Sequence, residues 1–135
     1  MDEAMSAENI EVVRATYEAL DKGDLQHIGE QFSDEVEWKT PESLPLGGIA
    51  RGRDAVLGRI AGLLQLWSEF SLEPDEYIDA GERVIVRGVQ RAVGPGGASE
   101  SRYLHVFTLR GGKIVRAEYI ADTATAMGAL RVHER

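Results

Sequence analysis

A histidine and two carboxylates lie close together in one run of the chain, Tyr103-Leu-His-Val-Phe-Thr-Leu-Arg-Gly-Gly-Lys-Ile-Val-Arg-Ala-Glu-Tyr-Ile-Ala-Asp122. Such a set on an otherwise apolar face is the raw material of proton transfer. Gly111-Gly112 separates two alternating stretches, which predicts a β-hairpin. Alternation puts Tyr103, His105, Phe107 and Leu109 on one face of its first strand. With a two-residue turn and an unbroken ladder, residue 118 stands opposite residue 105. Glu118 is then the cross-strand neighbour of His105, and Asp122 looks into the same space further along. A β-bulge in the hairpin would reverse this parity. Each residue also has a structural use. His105 suits a core histidine satisfied by Glu118. Asp122 suits the N-cap of a final helix, because it sits at a strand-to-helix junction.

Aromatic residues supply the rest of a candidate ligand site. Tyr17, Trp38, Tyr103 and Phe107 are expected to line it, with Glu118 at its polar edge, and Trp67 is assigned to plain core. No histidine pair has metal-ligand spacing, so neither a metal nor another cofactor is expected. His27 is expected to be solvated and His133 to lie in the tail. Gly94-Pro-Gly-Gly97 reads as a turn rather than a phosphate loop.

The elements that must position these residues follow from periodicity. Ser6 is a plausible cap for a first helix, whose stripe is Ile10, Val13, Tyr17 and Leu20. Gly23 suits its end, and Asp24 caps a short second helix bearing Leu25, Ile28 and Phe32. Val36, Trp38 and Thr40 alternate with charged residues as a first strand, stopped by Pro41. A loop runs to Gly52, and a third helix extends from about Asp54 to Trp67. Strands follow over Phe70–Ile78 and around Val84–Val89, then the hairpin, then a short helix over Ala121–Leu130. Helices come early and antiparallel strands late, which is the α+β pattern. Three N-terminal helices wrapping a curved antiparallel sheet would enclose a cone-shaped internal pocket. Ile85, Val89, Leu104 and Val106 make the opposite sheet face apolar as well. A second copy of the chain is the expected cover, giving a homodimer through the outer sheet face.

The bulk composition excludes several classes. The 135 residues suit a single domain over 1–135, with 43% hydrophobic and 28% charged residues. A net charge of −8, from 23 acidic against 15 basic residues, argues against nucleic acid or an anionic membrane as partner. No run approaches a membrane span, and the acidic start lacks the layout of a signal peptide. There are no cysteines, which removes disulfides and thiolate chemistry and fits a cytoplasmic protein.

Tyr17-Glu-Ala-Leu-Asp-Lys-Gly-Asp24, Val36-Glu-Trp38, Gly52-Arg-Asp-Ala-Val56, His105-Val-Phe-Thr-Leu with Gly112-Lys-Ile114, and Tyr119-Ile-Ala-Asp122 occur in that order. Together they resemble a SnoaL-like protein of the NTF2-like superfamily over about residues 7–130. The resemblance implies an α+β cone with a deep pocket and, usually, a sheet-to-sheet homodimer. Its members include polyketide cyclases, ketosteroid isomerases, epoxide hydrolases, dehydratases and binding domains, so the fold does not name an activity. In the SnoaL cyclases a pocket histidine and a late aspartate map to His105 and Asp122, the aspartate being the acid–base residue. Ketosteroid isomerases depart from this chain. Their first-strand aspartate maps to Thr40, before Pro41. Their helix tyrosine maps to Thr16, with Tyr17 one residue off on another side. Their second pocket aspartate falls near His105. Epoxide hydrolases need an Asp-Arg-Asp set that is not assembled here, because Arg87 points away from His105.

Two functions remain. One is a cofactor-free enzyme for cyclisation, isomerisation or dehydration of a small apolar carbonyl compound. Asp122 would be its base or shuttle, and His105 would bond the developing enolate oxygen. The other is a non-catalytic binding domain with the same pocket.

Overall fold

The computed structural model describes residues 3–121, with side chains from Ala7 onward. Its elements are α1 (Glu3–Asp21), α2 (Leu25–Glu30), β1 (Phe32–Thr40), β2 (Gly48–Arg51), α3 (Arg53–Leu66), β3 (Glu69–Ala80), β4 (Arg83–Gly94), β5 (Gly97–Arg110) and β6 (Lys113–Ala121). The six strands form one sheet in the order β2-β1-β6-β5-β4-β3. Every neighbouring pair is antiparallel except β1 and β6, which run parallel. The class is the expected α+β, with α1 against β3, β4 and β6, and α3 against β1 and β2. Among the described residues no helix is long and apolar enough to cross a membrane.

Local chemistry explains the joints. The amides of Gly23 and Asp24 donate to the carbonyls of Leu20 and Ala19, at 3.0 and 2.9 Å, closing α1 in a Schellman motif with Gly23 at φ +66°. The Asp24 carboxylate then accepts from the His27 amide at 3.1 Å and caps α2. Phe32, expected on the second helix, instead opens β1 and is fully buried. β2 was not expected; four residues within a glycine-containing loop are too short for a periodic signal. Pro74 is tolerated because β3 is an edge strand with an irregularity at that point. The final helix expected over Ala121–Leu130 falls almost wholly outside the described residues.

The hairpin carries the main correction. Gly111 and Gly112 have φ +57° and +78°, as a two-residue type I′ turn requires. Arg110 pairs with Lys113 and Leu109 with Ile114, the expected register. The next pair is Thr108 with Arg116, so Val115 is an extra residue and the ladder shifts by one. Beyond this bulge every β6 side chain changes face. Tyr119, not Glu118, is opposite His105, and Glu118 pairs with Val106 on the outer face. There its carboxylate lies 3.8 Å from the Lys39 ammonium. Glu118 is therefore not a partner of His105.

The outer face is otherwise as anticipated. Ile85 pairs with Val106, and Arg87 with Leu104, on the side away from His105. Ile78, Leu104 and Ile120 are exposed on it. Arg87 is engaged there with Asp75 and Glu76, at 3.4 and 3.1 Å.

Candidate functional site

On the inner face, His105 projects from the middle of β5 into a shell of aromatic rings and is 1% exposed. Phe107 lies 4.4 Å from it between centroids, Trp38 and Tyr119 each 5.1 Å, Tyr17 5.8 Å and Tyr103 6.2 Å. Each ring comes from a position that geometry dictates. Tyr103 and Phe107 share its strand parity. Trp38 is an inward residue of β1, and Tyr17 reaches across from α1.

The Tyr17 hydroxyl and His105 Nδ1 are hydrogen-bonded at 2.8 Å. Thr16, the position matched to the isomerase tyrosine, turns its hydroxyl to the Val12 carbonyl at 2.9 Å. Tyr17 thus supplies the phenol that Thr16 lacks. Burial raises the Tyr17 pKa well above the ordinary phenol range, the neighbouring Tyr103 phenol adding to it. Burial alone lowers the His105 pKa to about 3, so the imidazole is neutral at physiological pH. What it offers a ligand is a hydrogen bond rather than a charge. Its Nε2 has no protein partner, nor has the equally buried Trp38 Nε1. Unpaired buried groups of this kind cost about 1–3 kcal/mol each, which a ligand or water bonding to them would recover.

A cavity opens beside this cluster. Trp38, His105, Tyr119 and Gln90 form its sheet wall. Leu63, Leu64 and Leu66 of α3 and the stacked pair Trp67 and Phe70 form much of the rest. Trp67, assigned to core from sequence, is buried against Ala92 in a small core cluster and also faces the cavity. Tyr119 Oη donates to Gln90 Oε1, and burial pushes the Tyr119 pKa up as well. Gln90 had a readable signal, a polar residue at an inward position of β4. Tyr119 had none, because the unbroken-ladder register turned it outward. Among the described residues no carboxylate lines the cavity.

The remaining expected residues separate. Phe107 packs on His105 and faces a smaller space behind it. Tyr103 is 2% exposed, stacks on Tyr119, and has its pKa pushed up to about 12 by burial. It lies behind the cavity wall rather than on it. Asp122 lies outside the described residues, and the unbroken register from which it was expected to look toward His105 is not the one β6 takes.

The mouth is bounded by Leu44 and Pro45 of the β1–β2 loop. Arg59 of α3 holds this loop by donating to the Leu46 and Gly47 carbonyls at 2.5 and 3.3 Å. Leu46 has φ +61°. Thr40 lines the cavity at the end of β1 and donates weakly to the Leu46 carbonyl at 3.4 Å. A threonine here leaves the isomerase position without a base. A Δ5-ketosteroid assay should therefore give no double-bond migration above background, and Thr40→Ala should bind ligand nearly as the parent does. Measurable migration would show that a base acts from elsewhere.

Comparison with known proteins agrees with this architecture. The SnoaL-like domain model matches residues 13–117. An uncharacterized protein of Mycobacterium tuberculosis is 32% identical over 120 residues, covering 86% of this chain and 91% of its own. A crystal structure of an NTF2-like protein of unknown function from Burkholderia pseudomallei superposes with a TM-score of 0.87 at 30% identity, covering 93% of this chain and 98% of that one. TerC, co-crystallized with polyporic acid, superposes with a TM-score of 0.84 at 29% identity, covering 90% and 97%. The chain belongs to the SnoaL-like domain family and has the NTF2-like fold.

Proposed function

We propose that this protein binds a small, largely apolar carbonyl compound in the cavity beside His105 and acts on it as a cofactor-free, polyketide-cyclase-like enzyme. The observation that carries the reading is a neutral, fully buried imidazole, anchored at Nδ1 by Tyr17 and unpaired at Nε2, on an apolar cavity. If Tyr17 donates to Nδ1, Nε2 carries the proton and donates to a carbonyl oxygen. A neutral donor favours the enolate that forms when a neighbouring C–H is deprotonated. Asp122 is the proposed base and would return the proton elsewhere on the substrate. The co-crystallized relative supports a small organic ligand for such a cavity.

The test is deuterium exchange from D₂O into the α-position of a bound aryl ketone, followed by NMR. Exchange above the buffer rate that depends on Asp122 supports catalysis. Binding without exchange leaves the second reading, a ligand-binding domain. The lack of a carboxylate among the described lining residues favours that reading. No binding removes both.

The protein is proposed to work as a homodimer through its outer sheet face, without nucleic acid or membrane as partner. Leu104 and Ile120 pair across β5 and β6, beside the Ile85–Val106 pair, in a patch that a second copy would cover. Val106→Asp would desolvate two carboxylates near the dimer axis and should give monomer or aggregate in sedimentation velocity. A wild-type protein that sediments as monomer at tens of micromolar would remove the proposal.

A further inference from the structure

Two ring nitrogens on the cavity wall lack partners, and they belong to neighbouring rings. Trp38 stands between Ala50 of β2 and Ala117 of β6, small side chains that leave its indole room to lie over the sheet. Its ring meets the His105 imidazole at 5.1 Å between centroids and 90° between planes. Both residues line the main cavity, and Trp38 Nε1 and His105 Nε2 are buried with no hydrogen-bond partner among the described residues. Ser33, Arg53, Ser99 and Tyr103 also carry a buried unpaired atom, but none of them lines this cavity. Buried tryptophan N–H groups usually find an acceptor. An indole N–H can only donate, so an acceptor alone satisfies it. With Tyr17 donating to Nδ1, His105 Nε2 is a donor too. The wall has little to offer either of them: Gln90 has its side-chain oxygen engaged by Tyr119, and no described lining residue is a carboxylate.

We propose that Trp38 is a second hydrogen-bond donor to the ligand, and that its N–H and His105 Nε2 together select a compound presenting a bare oxygen to this wall. This rests on the carbonyl-binding reading above and adds a residue and a selection rule to it. A ketone or enolate oxygen accepts and brings no proton of its own. An alcohol of the same shape brings an O–H that faces donors on this wall. Leaving that O–H unpaired weakens its binding by about fivefold or more. Two fixed donors also favour an oxygen that gains charge during reaction, so Trp38 would share the enolate with His105.

Cyclohexanone, cyclohexanol and methylenecyclohexane share one shape and have no aromatic ring current, so NMR titration of the indole N–H signals with each of them tests this. The chain has two tryptophans, and Trp38→Phe or Trp67→Phe assigns their signals. Cyclohexanone should move the Trp38 N–H proton downfield, and methylenecyclohexane should not. The alcohol should bind about fivefold or more weakly than the ketone. Trp38→Phe should lower the ratio of ketone to hydrocarbon affinity by about three- to tenfold, a ratio from which the altered packing cancels. Should that variant fail to fold, the wild-type shifts still decide. Ketone binding that leaves the Trp38 signal unmoved, or an alcohol bound as tightly as the ketone, would overturn the selection while leaving His105 as the carbonyl donor. Absence of binding by the ketone in the wild type would overturn both.

Discussion

His105→Phe should remove most of the pH dependence that one residue can give this fold. The imidazole has a pKa of 6.5 in the unfolded chain and about 3 when folded, because burial disfavours its charged form. Between those values the unfolded state binds more protons, so stability rises with pH across that window. The contribution is complete above pH 6.5 and is lost as pH falls toward 3. Its slope inside the window approaches ~1.4 kcal/mol per pH unit, so the span is on the order of 4–5 kcal/mol. Phenylalanine fills similar space and has no proton to bind. It forfeits the Tyr17 hydrogen bond, which costs stability at every pH rather than in acid alone. Denaturant midpoints at pH 7, 5 and 4 should therefore fall more steeply for wild type than for His105→Phe, carboxylate titrations being common to both. Parallel curves would show that His105 is protonated in the folded protein, with a pKa near its ordinary value.

Asp122→Asn should reduce exchange or turnover of a carbonyl substrate by about 10²-fold or more, with ligand affinity and melting temperature little changed. Asparagine keeps the size and one acceptor of aspartate but cannot accept the α-proton. It also remains a competent helix cap, so a structural role would leave activity intact. His105→Ala should cost a similar factor by removing the hydrogen bond to the developing enolate, and its pH–rate profile should keep the limb due to Asp122. Full turnover in Asp122→Asn would leave the proposed enzyme without its base and favour the binding domain.

Much of the scaffold is legible from short-range physics. Gly23 and Asp24 mark the junction of α1 and α2 because left-handed caps and N-caps have few substitutes. Tyr103, His105 and Phe107 are placed inward by alternation on β5. The Gly111-Gly112 turn is right to the residue. The site is less legible because it depends on one extra residue, Val115, which no local preference announces. That residue sends Glu118 outward and Tyr119 inward, so the polar partner of the pocket becomes a phenol on Gln90. Tyr17 was placed correctly on its helical stripe, yet its bond to His105 spans 88 residues and is a tertiary fact. Trp67 ends α3 at the cavity wall, where helix periodicity cannot distinguish lining from core.

The bulge gives this lineage an unusual route to new chemistry. β6 encodes two alternative walls in one stretch: Ala117, Tyr119 and Ala121 in the present frame, Arg116, Glu118 and Ile120 in the other. A ladder that kept Val115 but paired it with Thr108, without the bulge, would exchange one set for the other without altering a lining codon. An interior of neutral phenol and alanine would become one bearing a guanidinium and a carboxylate. Charged groups there would need partners or other changes before the fold tolerated them. Related chains of the same length that lose the bulge would then differ in the ligands they accept far more than their overall identity suggests.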